Sequence, residues 1–401
     1  MLDVYRDQIN ALFTPQLYES FLEDLGGRFN HRPQFRVAES PVIFDLDLLG
    51  SAVKAGEEVV DFLVSDTFKS MSKRLLDRKV DVPNETPNTL FLQVDLGVCD
   101  INGKLSPRLI EVQGFPSLYF YQLALAEAYQ RSYPFLTGLD HFFAELNNES
   151  YVDLLRRHIL AGENPENVVL IDIEPPKQNT YIDFVATRYY LGIPVRCISE
   201  IKRSGRSLYY LNEAGQKIAI HKLYNRVIFD ELLRRPDLPL EFTLREDVDV
   251  HWAGHPNWYF KISKYLLPYI NSEFVPKSSF VHEILDDLPD NLHDYVLKPL
   301  YSFSGEGIKF DVTKEEIRAL ENPDEYILQE KVNYAPIIRT PSEPAKVEIR
   351  LMYLWPFHKD RPILIHNLIR MSKGKMIGVK YNKDKDWVGG SIGFYQHPHK
   401  A

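Results

Sequence analysis

Apolar residues recur at helical spacing through the first part of the chain, over residues 15–25 and again over 48–78, where Val59, Phe62, Leu63, Phe68 and Met71 share a face. Residues 32–44 lose that period and predict an extended segment, with Arg36 expected to face solvent as isolated charges do. From residue 90 the period falls to two. Leu92, Val94, Leu96 and Val98 alternate with Gln93 and Asp95, then Ile110 and Val112 alternate with Glu111 and Gln113. This predicts two strands joined by a turn containing Asn102 and Gly103. Helical spacing returns over 119–158. After Pro165, a buried-type strand at 168–173, a helix at 179–191, a strand at 193–197 and a later one at 218–224 read as a small parallel α/β unit ending near Pro276. Beyond it strands dominate, at 295–298, 308–310, 325–332, 346–355 and 363–371, with one helix opening near Thr313. The expected class is α/β (α+β), in three parts: 1–160 with helices and the hairpin, 161–285 with the parallel unit, and 286–401 with the second set of strands.

Composition excludes several functions. The 401 residues are 44% hydrophobic and 26% charged, as in an ordinary globular protein with a large core. A net charge of -9 argues against a nucleic-acid partner held through its phosphates. No apolar run approaches the roughly 20 residues that span a bilayer, so no membrane is expected. Cys99 and Cys197 are far apart and lack metal-ligand spacing, and the first residues carry no secretory pattern; a cytoplasmic protein with free thiols is expected. Locally the charge inverts. Lys298, Lys331, Arg350, Arg370, Lys373, Lys375 and Lys380 make the last quarter basic, which suits a small polyanion.

Three stretches carry candidate chemistry. In residues 294–310 a short strand delivers Lys298, a small polar loop with Gly305 and Gly307 follows, and a second strand resumes. Glycine backbones can turn N–H groups toward phosphate oxygens, and no helix follows directly, so the P-loop and the Rossmann turn are excluded. In the hairpin, a turn with an odd residue count sets Asp95 opposite Glu111 and Gln93 opposite Gln113. Two adjacent carboxylates repel unless a cation joins them. An even turn would break that pairing. Finally, Glu348 and Arg350 share a face of one strand and Arg370 sits mid-strand in the next, where a guanidinium is costly unless it meets an anion. The histidines of 251–264 lack a third metal ligand and read as packing groups.

In order, these pieces resemble the ATP-grasp ligases: VLKP with Lys298 and the glycine loop, ILQEKV at 327–332, Glu348 with Arg350, Arg370, and Asn382 before Gly389 and Gly390. The acidic strand that usually ends that fold has its counterpart upstream, in Asp95 and in Glu111, Val112, Gln113 and Gly114. The order is similar to that of the circularly permuted ATP-grasp proteins, among them eukaryotic-type glutathione synthetase and glutathionylspermidine synthase-like proteins. The resemblance covers most of residues 90–395 and implies a permuted ATP-grasp core with an inserted parallel α/β domain. It implies ATP and Mg2+ as cofactors and ADP-forming ligation of small-molecule carboxylate and amine substrates through an acyl phosphate.

Residue by residue, the resemblance puts Lys298 and the loop around Ser304, Gly305 and Gly307 at the phosphates. Gln329, Glu330, Lys331 and Val332 become the hinge that meets adenine. Lys264 is a second nucleotide lysine, with Lys261 equally placed, and Asn382 joins the nucleotide set. Asp95, Glu111 and Gln113 hold metal. Arg370 meets the transferring phosphoryl group or the substrate carboxylate, and Arg350 the triphosphate. Asn225 and Arg226, at the end of a parallel strand, and Gly389 and Gly390 are substrate contacts. Gln113 stands where asparagine is usual, and Ser302 where an acidic ligand is usual. An ATP-binding protein weakened in catalysis is therefore the alternative, with a phosphotransferase a third reading. A homodimer is the commonest assembly for soluble enzymes.

Overall fold

The computed structural model describes residues 3–73, 81–301, 307–374, 377 and 382–396. It is a mixed α+β structure with several sheets. The first expected long helix is broken in two, Leu46–Val64 capped by Asp45 and Asp66–Ser72 capped by Ser65. Each cap supplies an oxygen to an otherwise unpaired helix N–H, so Ser65 ends one helix and starts the next. A further helix, Asp3–Leu12, precedes Pro15–Gly27.

The central sheet is antiparallel, in the order Gly389–Ser391, Ile363–Ser372, Lys346–Leu354, Phe91–Ile101, Lys104–Gln113. Its pleat divides the side chains. Leu92, Val94, Leu96, Val347, Ile349 and Leu351 form one core with the apolar stripe of Leu46–Val64. The opposite face carries Gln93, Asp95, Glu111, Glu348, Arg350 and Arg370, so the chemistry has one side of the sheet to itself.

The hairpin reaches the expected register by an unexpected route. Its turn is even: Ile101 pairs with Lys104, and Asn102 and Gly103 both have positive φ, as a two-residue hairpin turn requires. That register runs back to Leu96 opposite Leu109. There an irregularity leaves Ile110 unmatched, and Asp95 falls opposite Glu111 and Gln93 opposite Gln113. One extra residue on the second strand, a β-bulge, restores the pairing that an even turn alone would have lost.

A second, four-stranded antiparallel sheet stands beside this one, in the order Ser278–Phe280, Tyr326–Glu330, Tyr295–Pro299, Lys309–Phe310. Thr313 caps the helix Lys314–Arg318 through a capping box with Glu316. The parallel unit is a four-stranded sheet in the order His251–Ala253, Lys222–Asn225, Val168–Asp172, Val195–Cys197. The strand expected at 218–224 is in fact two. Lys217–Ile220 closes a three-stranded antiparallel meander, and the chain re-aims at His221 to enter the parallel sheet with Lys222–Asn225. The extended N-terminal segment ends as a strand, Val42–Phe44, parallel to Gly393–Tyr395. Among the described residues no helix is long and apolar enough to cross a membrane.

Candidate functional site

The polar face of the central sheet is organised by three strands contributing acids and bases to one row. Arg350 Nε donates to Asp95 Oδ1 at 2.6 Å and its Nη2 to Oδ2 at 2.6 Å, a bidentate pair between adjacent strands. Arg370 Nη2 donates to Asp95 Oδ2 at 2.6 Å and also pairs with Glu348. Glu348 Oε2 accepts from the Tyr334 hydroxyl at 2.7 Å. Asp95 and Glu348 are 0% and 2% exposed. Burial raises the Asp95 carboxyl, but the two guanidiniums overcome it and hold the group below the usual carboxylate range. Burial wins at Glu348 and pushes it up despite Arg370.

Glu111 extends the row onto the outermost strand. Its carboxylate accepts from the Gln113 amide and lies 3.9 Å from Lys264 Nζ. Lys298, from the second sheet, points at the bulge: its Nζ lies 3.4 Å from the carbonyl oxygen of Ile110, the residue the bulge leaves unmatched. Burial and the neighbouring Lys264 lower the Lys298 ammonium to about 8, against the opposing pull of Glu111 and Glu348. Lys264 is lowered by burial, with Glu111 opposing. Two desolvated ammonium groups, Lys298 from the second sheet and Lys264 from the short helical turn Lys264–Tyr269, therefore lie under the influence of one carboxylate, Glu111. Lys261 is not part of this: its ammonium pairs with Glu85, itself bonded to Asn257.

Gln329 and Glu330 end a strand of the same second sheet, and Lys331 and Val332 follow just beyond it. Glu330 donates its N–H to the Lys277 carbonyl at 2.9 Å, and Lys331 Nζ reaches Asp311 at 3.1 Å. Glu330, Lys331 and Val332 line a cavity of about 820 Å³, together with Cys99, Arg108 and most of residues 267–279, a size that suits a nucleotide-scale ligand. Glu111, Gln113 and Lys264 line a much smaller recess of about 30 Å³ with Tyr259 and Tyr301. The larger cavity and this recess share no lining residue, and both carry charged side chains. Ser302, Ser304 and Gly305 lie outside the described residues. Gly307 has φ +74 and packs against Pro299.

The remaining candidates are spread more widely. Asn382 Oδ1 accepts from the N–H groups of Lys373 and Gly374, which fixes the turn after strand Ile363–Ser372. Gly390 exchanges backbone hydrogen bonds with the N-terminal segment, through Arg36 O and Ala38 N. Arg36 itself pairs with Glu39 rather than standing in solvent. Asn225 folds back on its own chain, accepting from the Val227 N–H and donating to the Val227 carbonyl. Arg226, 5% exposed, lies between the rings of Phe115 and Phe184, with Nε and Nη1 unpartnered and Nη2 3.3 Å from Thr180 Oγ1. Near it burial pushes Asp172 up to about 8, with Arg226 opposing.

One member of the network, Tyr334, and one pairing, Glu348 with Arg370, escaped the sequence reading. Glu348 was visible as the acid two residues before Arg350, but nothing showed that it would hold Arg370. Tyr334 had no signal, because its approach depends on Gly97: a Cβ there would lie 2.7 Å from the Tyr334 ring. Among the described residues no group of three or more His, Cys, Asp or Glu is placed to hold a metal ion.

No family model matches the chain, and no curated protein matches it in sequence. Among solved structures it is similar to a glutathione synthetase-like effector from Globodera pallida, solved in its apo form. The match has a TM-score of 0.56 and 12% identity and covers 96% of this chain and 98% of that one. The likeness is one of fold, over nearly the whole of both chains.

Proposed function

We propose that this chain is an ATP-dependent carboxylate–amine ligase built on a circularly permuted ATP-grasp core. The observation that carries the reading is the convergence of Lys298, at the Ile110 carbonyl, and Lys264, at Glu111, on the hairpin bulge, with Arg350 and Arg370 in the adjoining row, from segments up to about 275 positions apart. The donor set fits the implied ligands in part. Two buried ammoniums brought down in pKa by desolvation gain from an anion such as a triphosphate. Glu111 supplies one carboxylate, which with phosphate oxygens is the environment magnesium takes. Asp95 is fully engaged by two arginines, so Glu111 with Gln113 would carry the metal role.

In this reading Lys298 and Lys264 bind and orient the phosphates and offset the charge that spreads over them during transfer. Arg370, one-third exposed, would face the reacting carboxylate, while Arg350 acts through Asp95 to hold the row in place. Magnesium, when bound, would supply further charge stabilisation at the phosphates. The test is ADP release with ATP and magnesium across a panel of carboxylates and amines. Product amide with Lys298→Met inactive supports the proposal; a phosphorylated product that accumulates unchanged would make the protein a phosphotransferase.

The saturation of Asp95 favours a second reading, a nucleotide-binding protein without ligase turnover. A site with one available carboxylate binds ATP through its lysines with little dependence on magnesium. Calorimetry of ATP with and without magnesium separates the two.

A further inference from the structure

We propose that Tyr334 is a positioning residue: standing at the wall of the large cavity, it holds Glu348, and through Glu348 it places Arg370 according to what the cavity contains. This rests on the nucleotide reading above and joins its two halves, which otherwise share no lining residue. Glu330, Lys331, Val332 and Asn333 line the cavity, and Tyr334 comes next in the chain. The backbone there is fastened to the central sheet. Tyr334 bridges antiparallel to Cys99, and the Ala335 N–H donates to the Val98 carbonyl at 2.9 Å.

Strand register carries the contact from the cavity wall to the arginine. Gly97 lies opposite Glu348 and Glu348 opposite Arg370, so the three stand in one line across adjacent strands. The bare backbone of Gly97 gives Tyr334 its path: a Cβ there would lie 2.7 Å from the tyrosine ring and 3.1 Å from Val332 Cγ1. Beyond the glycine, the hydroxyl donates to Glu348 Oε2 at 2.7 Å, and Glu348 pairs with Arg370. Val332, a cavity residue, and Tyr334 thus rest on the same spot. A ligand that displaces the one displaces the other.

The chemistry of the line makes the hydroxyl matter. Glu348 is 2% exposed; burial pushes its carboxyl up, while Arg370 and the Tyr334 hydrogen bond pull against that rise. Burial pushes the Tyr334 phenol up as well, so it remains a donor. Without it, Oε2 is left buried and unpaired, and the carboxylate loses its fixed direction. Arg370 then keeps Asp95, an acid already bonded twice by Arg350, and its guanidinium is held from one side alone. Misplacement of a group by a fraction of an ångström is enough to lower a rate.

The Arg370 Nε, buried and without a partner, supplies the readout, because its N–H resonance reports where the guanidinium sits. The experiment records that resonance by NMR with and without ATP, in the full chain, in Tyr334→Phe, in Glu348→Gln and in the double variant, beside Kd for ATP by calorimetry. The expected result is a shift with ATP in the wild type that Tyr334→Phe loses while its Kd stays within about twofold. Glu348→Gln loses it too, and the double variant behaves as either single one, since both cut the same line. A shift that survives in Tyr334→Phe overturns the proposal, because ATP then acts on Arg370 directly. Losses that add in the double variant overturn it, and so does a Tyr334→Phe that no longer binds ATP, which would place the hydroxyl at the nucleotide itself. A wild type that binds ATP without any shift overturns it and leaves the nucleotide reading intact, whereas a wild type that does not bind ATP removes both.

Discussion

Arg350 and Asp95, 255 positions apart, face each other on adjacent strands and exchange two hydrogen bonds of 2.6 Å in the middle of the central sheet. The same carboxylate also holds Arg370, so one buried acid balances two guanidiniums. Removing it leaves uncompensated charge in a desolvated row. Asp95→Asn is expected to cost about 3–5 kcal/mol in urea unfolding. A neutral result would show that Arg350 and Arg370 find other anions.

Lys298 should behave as a destabilising group kept for what it binds. Its folded pKa, lowered to about 8, lies below the unfolded value near 10.4, so the unfolded chain holds the extra proton between them. Its unfavourable contribution is complete below about pH 8 and disappears as pH rises toward 10.4. Lys298→Met is therefore expected to be more stable than wild type at pH 7, by on the order of 3 kcal/mol, with the gap closing across that window. Parallel denaturation curves from pH 7 to 10.5 check the sign.

The neighbouring lysines separate by partner. Lys264 approaches Glu111, whereas Lys261 pairs with Glu85 away from the row. Lys264→Met is expected to weaken binding of tripolyphosphate at least tenfold, and Lys261→Met to leave it within about twofold. Equal losses would mean that Lys261 reaches the anion too.

Acid sensitivity should trace to two buried imidazoles. His141 and His366 have ring centroids 5.3 Å apart, with Phe142, Tyr151 and Phe394 around them. Burial lowers His141 to about 3 and drives His366 well below its ordinary range. The unfolded chain takes up their protons first, so stability falls as pH drops from about 6.5. His141→Phe is expected to flatten the loss between pH 6.5 and 4 in thermal unfolding; an unchanged slope would assign the acid response to other groups.

Gly389 tests the seam between the chain's two ends. It has φ +121, and a Cβ there would collide with the backbone oxygen of Arg36. Gly389→Ala is expected to cost about 1–3 kcal/mol and to loosen residues 36–44, seen as faster amide exchange at Ala38 and Val42. Unchanged exchange there would show that the collision is relieved elsewhere.

The period of the apolar residues was enough to read the elements. Period two at 90–98 and 108–113 gave the hairpin, and the run at 168–173 gave the first strand of a parallel sheet, because burial on one or both faces writes itself into adjacent positions. Lys298, Arg350 and Arg370 were legible for a related reason: a charge inside an apolar strand needs a partner. What the chain could not show was which partner. The choice of Asp95 by both arginines, the Ile110 bulge that restored the hairpin register, and the separation of Lys264 from Lys261 all depend on contacts between distant segments. Tyr334 depends on a missing side chain at Gly97. Local sequence fixes the period and face of each element, but register shifts and ion-pair choice are decided by the whole packed sheet, where a single extra residue turns every side chain beyond it.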